Sequence, residues 1–205
     1  NQLTMVHFPD SALSLKHIDL SYCENLEQIS TGILNEELSK FDINNTGFAS
    51  FPILPGVKKI NDFSCHDCKK MKNLKGLAGL ESINEKYRND WIGFQGCSNL
   101  EDINDYFSLN HNALEMYFKQ IPKNIIANKL SKLRLFNISS LDGIEQFPEL
   151  EYLTISGSSN TPITSLLPLK ALKKLKILYL GGSSGITSLD GIEHLTSMDL
   201  LDLTR

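Results

Sequence analysis

Among the 205 residues, the four cysteines and five histidines offer the most chemistry. Cys65-His66-Asp67-Cys68 has the spacing that binds zinc or cycles between dithiol and disulfide. A zinc site of the common kind needs a second pair at similar spacing, and Cys23 and Cys97 supply none. Gly181-Gly-Ser-Ser-Gly185 has the glycines of a phosphate cradle but lacks the Lys-Ser/Thr continuation that opens a helix. His7, His17, His66, His111 and His194 are scattered, with no acid–base partner at a telling spacing. No Gly-x-Ser-x-Gly nucleophile elbow occurs. Asn44-Asn-Thr46 and Asn137-Ile-Ser139 are formal glycosylation sequons, discounted because both lie in or beside strands. The residues thus imply no catalytic group, no cofactor and no metal site, and the chain reads as a non-enzyme.

What must position all of these is a repeat. The pattern apolar-xx-apolar-x-apolar-xx-(Cys/Asn/Thr/Ser), with further apolar residues at threes, fits Leu15, Ile18, Leu20, Cys23, Leu26 and Ile29. It recurs at Leu38, Phe41, Ile43, Thr46, Phe48 and Phe51, and at Ile60, Phe63, Cys65, Cys68, Met71 and Leu74. Ile92, Phe94, Cys97, Leu100 and Ile103 make a fourth copy. Later copies begin at Leu130, Leu150 and Leu175, a partial one at Met198, and a weaker one is read at Met116, Phe118 and Ile121. That makes about nine units, spaced from about 17 to about 29 residues. Two echoes support the register: Ile138-Ser-Ser-Leu-Asp-Gly-Ile-Glu145 with Ile186-Thr-Ser-Leu-Asp-Gly-Ile-Glu193, and Cys23-Glu-Asn-Leu-Glu-Gln-Ile29 with Cys97-Ser-Asn-Leu-Glu-Asp-Ile103.

An apolar-x-apolar core is a short strand with period 2, whose two apolar side chains face one way. One such strand cannot bury its own face, so parallel stacking builds a continuous core. The register puts Cys65 at a strand position, and Cys23, Cys68 and Cys97 at the turn position, where small polar side chains satisfy backbone groups. All four cysteines are therefore expected to be buried, reduced and structural.

In these features the chain resembles the leucine-rich-repeat family across nearly its whole length. The Leu-Asp-Gly-Ile-Glu units are similar to bacterial internalin-like and phosphatase-regulator repeats, and the Cys-x-Asn-Leu-Glu units to those of plant immune receptors. The family's usual Asn ladder is replaced here by Cys, Thr, Ser and Ile. The resemblance implies an α/β fold: a solenoid with a curved parallel sheet on the concave face and short helices or loops on the convex face. Residues 1–14 are expected to form an N-terminal cap and 15–205 the repeat domain, continuing beyond 205 in the natural protein.

The formal charge is −4, and of the twenty basic residues seventeen are Lys and three are Arg. That argues against nucleic acid. No run reaches the roughly 18 apolar residues of a membrane span, so membrane insertion is not expected. Lys69, Lys70, Lys72 and Lys75, and Lys170, Lys173, Lys174 and Lys176, read as solvated faces.

The side chains alternating with the buried pairs should line the concave sheet. Trp91, Tyr117, Phe136, Tyr152 and Tyr179 place aromatics down its middle, with Arg134 among them. Tyr, Trp and Arg are the types most enriched at binding hot spots, so these six are the expected protein-binding residues. An insertion around 84–90 is a second candidate. The expectation is a recognition module for a protein partner, cytoplasmic, or in the host cytosol if this is a secreted bacterial effector. Alternatives are the substrate-recognition domain of an enzyme such as a ubiquitin ligase, its catalytic domain lying elsewhere, or a cell-surface adhesin.

Overall fold

The computed structural model describes residues 2–84, 91–109, 111–117, 120–126, 129–157, 162–182 and 185–204. The fold is a parallel β-solenoid of about eight turns with little helix. It divides into two compact units, Asn1–His111 and Asn112–Arg205.

In the first unit, several short strands share each turn. His17–Asp19 pairs in parallel with Lys40–Asp42, which pairs with Phe63–Ser64, joining His17 to Lys40 and Phe41 to Phe63. A second ladder joins Glu37–Leu38, Lys59–Ile60 and Ser82–Ile83. Met5–His7 pairs with Gln28–Ser30 and Ser11–Ala12 with Ile33–Leu34. Residues 1–14, expected as an N-terminal cap, thus hold two short strands, each paired in a two-stranded sheet with the turn that follows.

The second unit holds five parallel strands: Ala113–Met116, Lys132–Ile138, Tyr152–Gly157, Ile177–Gly181 and Leu200–Asp202. Leu133 and Leu135, Leu153 and Ile155, and Leu178 and Leu180 are buried, as the repeat requires. The weak copy needs a correction. Leu114 and Met116, not Met116 and Phe118, stand opposite Leu133 and Leu135. The shift of two residues keeps the same side chains inward, because the strand period is 2.

The described residues hold no α-helix, and the expected short helices or loops take the form of 3-10 segments. These are Lys75–Gly79, Asn104–Ser108, Ile144–Gln146 and Leu167–Ala171. Apolar residues at intervals of three explain this. Leu77 N–H bonds Leu74 O and Leu80 N–H bonds Leu77 O, both at 2.9 Å. Leu166, Leu169 and Leu172 repeat the same bonds at 2.9 Å. With three residues per turn, such side chains eclipse on one face; at 3.6 per turn they would drift away from the core.

Six copies of the repeat place a left-handed residue just before the turn position. Tyr22, Asn45, Asp67, Gly96, Asn137 and Gly182 all have φ between 55° and 74°. Asn, Asp and Gly are the types that tolerate this region. The Leu-Asp-Gly-Ile-Glu echo also has a local cause. The amides of Gly143 and Gly191, with φ of 96° and 109°, donate to the carboxylates of Glu145 and Glu193.

Candidate functional site

Among the described residues, two places gather chemistry-bearing side chains. The first is the outward face of the five-strand sheet. Its register sets Arg134 beside Glu115 on one side and Thr154 on the other, then Tyr179 and Asp202 along the same row. A bulge after Phe136, where Asn137 turns left-handed, ends the regular pairing on this strand. Tyr117 stacks on Phe136 with ring centroids 4.7 Å apart and planes 13° from parallel. Tyr152 leans on Tyr179 at 5.6 Å.

Polar partners hold these rings. The Tyr117 hydroxyl donates to Glu115 Oε1 at 2.8 Å, and Arg134 lies 3.5 Å from Glu115 Oε2. Glu115 is itself buried, so one carboxylate orients both a ring and a guanidinium. An open cleft of about 300 Å³ on this face is lined by Arg134, Phe136, Tyr152, Thr154, Tyr179, Gly181, Asp202 and Thr204. Of the six expected binding residues, Arg134, Phe136, Tyr152 and Tyr179 thus share one cleft, and Tyr117 backs it through Phe136. Trp91 does not present a surface: it is 7% exposed and packs as a core residue. Thr154 and Asp202, which alternate with the buried pairs, were expected on this face, whereas Gly181 and Thr204 were not. Of the 84–90 insertion, residues 85–90 lie outside the described residues.

The basic clusters are partly matched by carboxylates of other turns. Lys70 meets Glu27 at 2.7 Å, Lys174 meets Glu149 at 2.6 Å and Lys176 meets Glu151 at 2.9 Å.

The second place is in the core of the first unit. Stacking brings the turn positions into a column, so Thr46, Cys68 and Cys97 follow one another. Thr46 Oγ1 donates to Ile43 O at 2.8 Å, Cys68 Sγ reaches Ile43 O at 3.0 Å, and Cys97 Sγ reaches Cys65 O at 3.5 Å. This is the backbone-satisfying role expected of the turn position. Cys65 adds a third thiol from the strand, and the sulfurs of Cys65, Cys68 and Cys97 all lie within 4.8 Å of one another. All three are fully buried, and all four cysteines are thiols rather than disulfides. Cys23 departs from expectation, being only half-buried.

Hydrogen bonds from Cys65 and Cys97 pull the Cys68 thiol down, against the opposing effect of burial. Its bond to Cys68, then its contact with Cys97 and burial, push Cys65 well up. Within the cluster one thiol is thus drawn down while its neighbour is held up. The sequence placed Cys68 and Cys97 at equivalent positions. That these positions stack was the available signal for a three-sulfur cluster.

No helix among the described residues is long and apolar enough to cross a membrane. Compared with protein-family models and with curated proteins, the chain matches none.

Proposed function

We propose that this chain is a leucine-rich-repeat-like recognition module, without catalytic activity of its own, that docks a protein partner on the outward sheet face of residues 112–205. The observation that carries this reading is the convergence of Arg134, Phe136, Tyr152 and Tyr179 on one open cleft. Tyr and Arg are over-represented among hot-spot residues, and rigid aromatic side chains lose little conformational freedom on binding. The rings are held in place before any partner arrives: Tyr117 fixes Phe136 from behind, and Glu115 fixes Tyr117. Such preorganisation lowers the entropic cost of association. Arg134 and Asp202, at opposite sides of the cleft, supply charges of both signs to orient an apolar segment seated between them. Cysteines held as thiols suit a reducing, cytoplasmic setting.

The test is affinity capture from cytosolic lysate with the wild type and a Phe136→Ala, Tyr152→Ala, Tyr179→Ala variant verified as folded. The captured protein is then purified and titrated against both. The expected outcome is a complex with wild type, weakened at least about 30-fold in the variant, as loss of ~2 kcal/mol at a hot spot requires. Equal affinity for both proteins would remove the cleft from the interface.

A further inference from the structure

Cys65 and Met71 put sulfur where the other turns place hydrocarbon. Cys65 occupies the position of Leu20, Ile43 and Phe94, and Met71 that of Leu26, Phe48 and Leu100. Both side chains are completely buried and converge on one point. Cys65 Sγ stands 3.7 Å from Cys68 Sγ and 3.9 Å from Met71 Sδ. The turn position needs only one small donor, and Thr46 shows that a hydroxyl suffices. Backbone satisfaction therefore accounts for Cys68 and Cys97 but for neither Cys65 nor Met71.

We propose that Cys65, Cys68, Cys97 and Met71 form a buried binding site for a soft monovalent metal ion, Cu(I). At a metal–sulfur distance of about 2.3 Å, trigonal donors stand about 4 Å apart. The three thiols already lie within 4.8 Å of one another, so closure on an ion takes only small side-chain adjustments. Thiolate and thioether donors select Cu(I). Structural zinc and iron–sulfur sites prefer four strong donors, commonly four thiolates, whereas the fourth sulfur here is a neutral thioether. Full burial keeps water and oxidants from the ion. It also means that the ion enters when the turns open or as the chain folds, displacing thiol protons as it binds.

The experiment refolds the reduced chain under anaerobic conditions with Cu(I) held by a chromophoric chelator. Wild type is expected to withdraw one equivalent of copper, show a sulfur-only shell by X-ray absorption, and melt at a higher temperature than the copper-free protein. Cys65→Ala and Cys97→Ala, each checked for folding by circular dichroism, should bind more weakly by over the roughly 100-fold that loss of an outer-shell partner can cost. Cys23→Ser should bind as wild type does. The proposal is overturned if wild type takes no copper or its melting temperature is unmoved. Equal binding by the Cys65 and Cys97 variants, or a preference for Zn(II) over Cu(I), overturns it as well.

Discussion

The ring of Tyr117 lies flat on that of Phe136, and its hydroxyl reaches past the stack to the buried carboxylate of Glu115. Stacking and hydrogen bonding can be separated here by removing one oxygen. Tyr117→Phe keeps the ring pair but takes a donor from a carboxylate that is 3% exposed. The expected cost is about 1–3 kcal/mol, as for withdrawing a partner from a buried charged group. Urea unfolding checks this: an unchanged midpoint would mean that Arg134 and its neighbours satisfy Glu115 without Tyr117.

The first unit is held by rings instead. Phe41 meets Phe51 at 6.0 Å, Phe51 meets Phe63 at 5.7 Å, and Phe63 meets Phe94 at 6.2 Å between centroids. Phe63 sits in the middle of this chain and is fully buried. Phe63→Ala is expected to cost about 3–5 kcal/mol through lost transfer energy and the cavity left behind. Ile53→Ala, at a side chain 72% exposed, should stay within about 0.5 kcal/mol. Thermal melts of the two variants would refute the assignment of the core if their order were reversed.

These contrasts show what a linear pattern can and cannot reveal. Leu133, Leu135, Leu153 and Ile155 were legible as inward positions because period-2 alternation is a local property of a strand. The apolar threes at Leu74, Leu77 and Leu80 were visible too, but their meaning as 3-10 backbone depends on which helix keeps them eclipsed. Trp91 was misplaced because it follows an insertion, where alternation counted from the next strand no longer says which side faces the core. The sulfur cluster was hidden for another reason. Cys68 and Cys97 are 29 residues apart in the chain, and only the stacking of successive turns makes them neighbours.

Asp19 gives the solenoid a small acid-sensitive contribution. The Ser21 hydroxyl first, then Lys40 and the Ser21 amide, draw its carboxyl down from 3.8 to about 2. Between those values the unfolded chain binds more protons at this site than the folded one, so stability falls as pH drops through the window. The contribution is fully present above the unfolded value. Asp19 is 42% exposed at its side chain, so solvent screening holds the effect below about 1 kcal/mol. The stability gap between wild type and Asp19→Asn should therefore narrow from pH 5 to pH 2. A gap independent of pH would trace it to something other than ionisation.

Tyr22 is the residue out of keeping among the strand exits. Its φ of 61° matches 55° at Asn45 and Asp67, where short polar side chains suit the left-handed region. Tyr22 is 73% exposed, and so little packing offsets the strain. Its amide donates to Asn44 O at 2.8 Å, a bond that any replacement except proline retains. Tyr22→Asn should therefore stabilise the protein by roughly 0.5–1 kcal/mol, within the 1–2 kcal/mol that this conformation costs an ordinary residue. The opposite exchange at the equivalent site is Gly96→Ala, where a Cβ would press against the Asp67 carboxylate in a backbone with φ of 74°. That variant should lose more than about 1 kcal/mol. Melting temperatures that rise for Tyr22→Asn and fall for Gly96→Ala would show that these exits share one conformational requirement. A loss on Tyr22→Asn would instead mean that the ring is held by contacts of its own, and that a partner or neighbour has selected it.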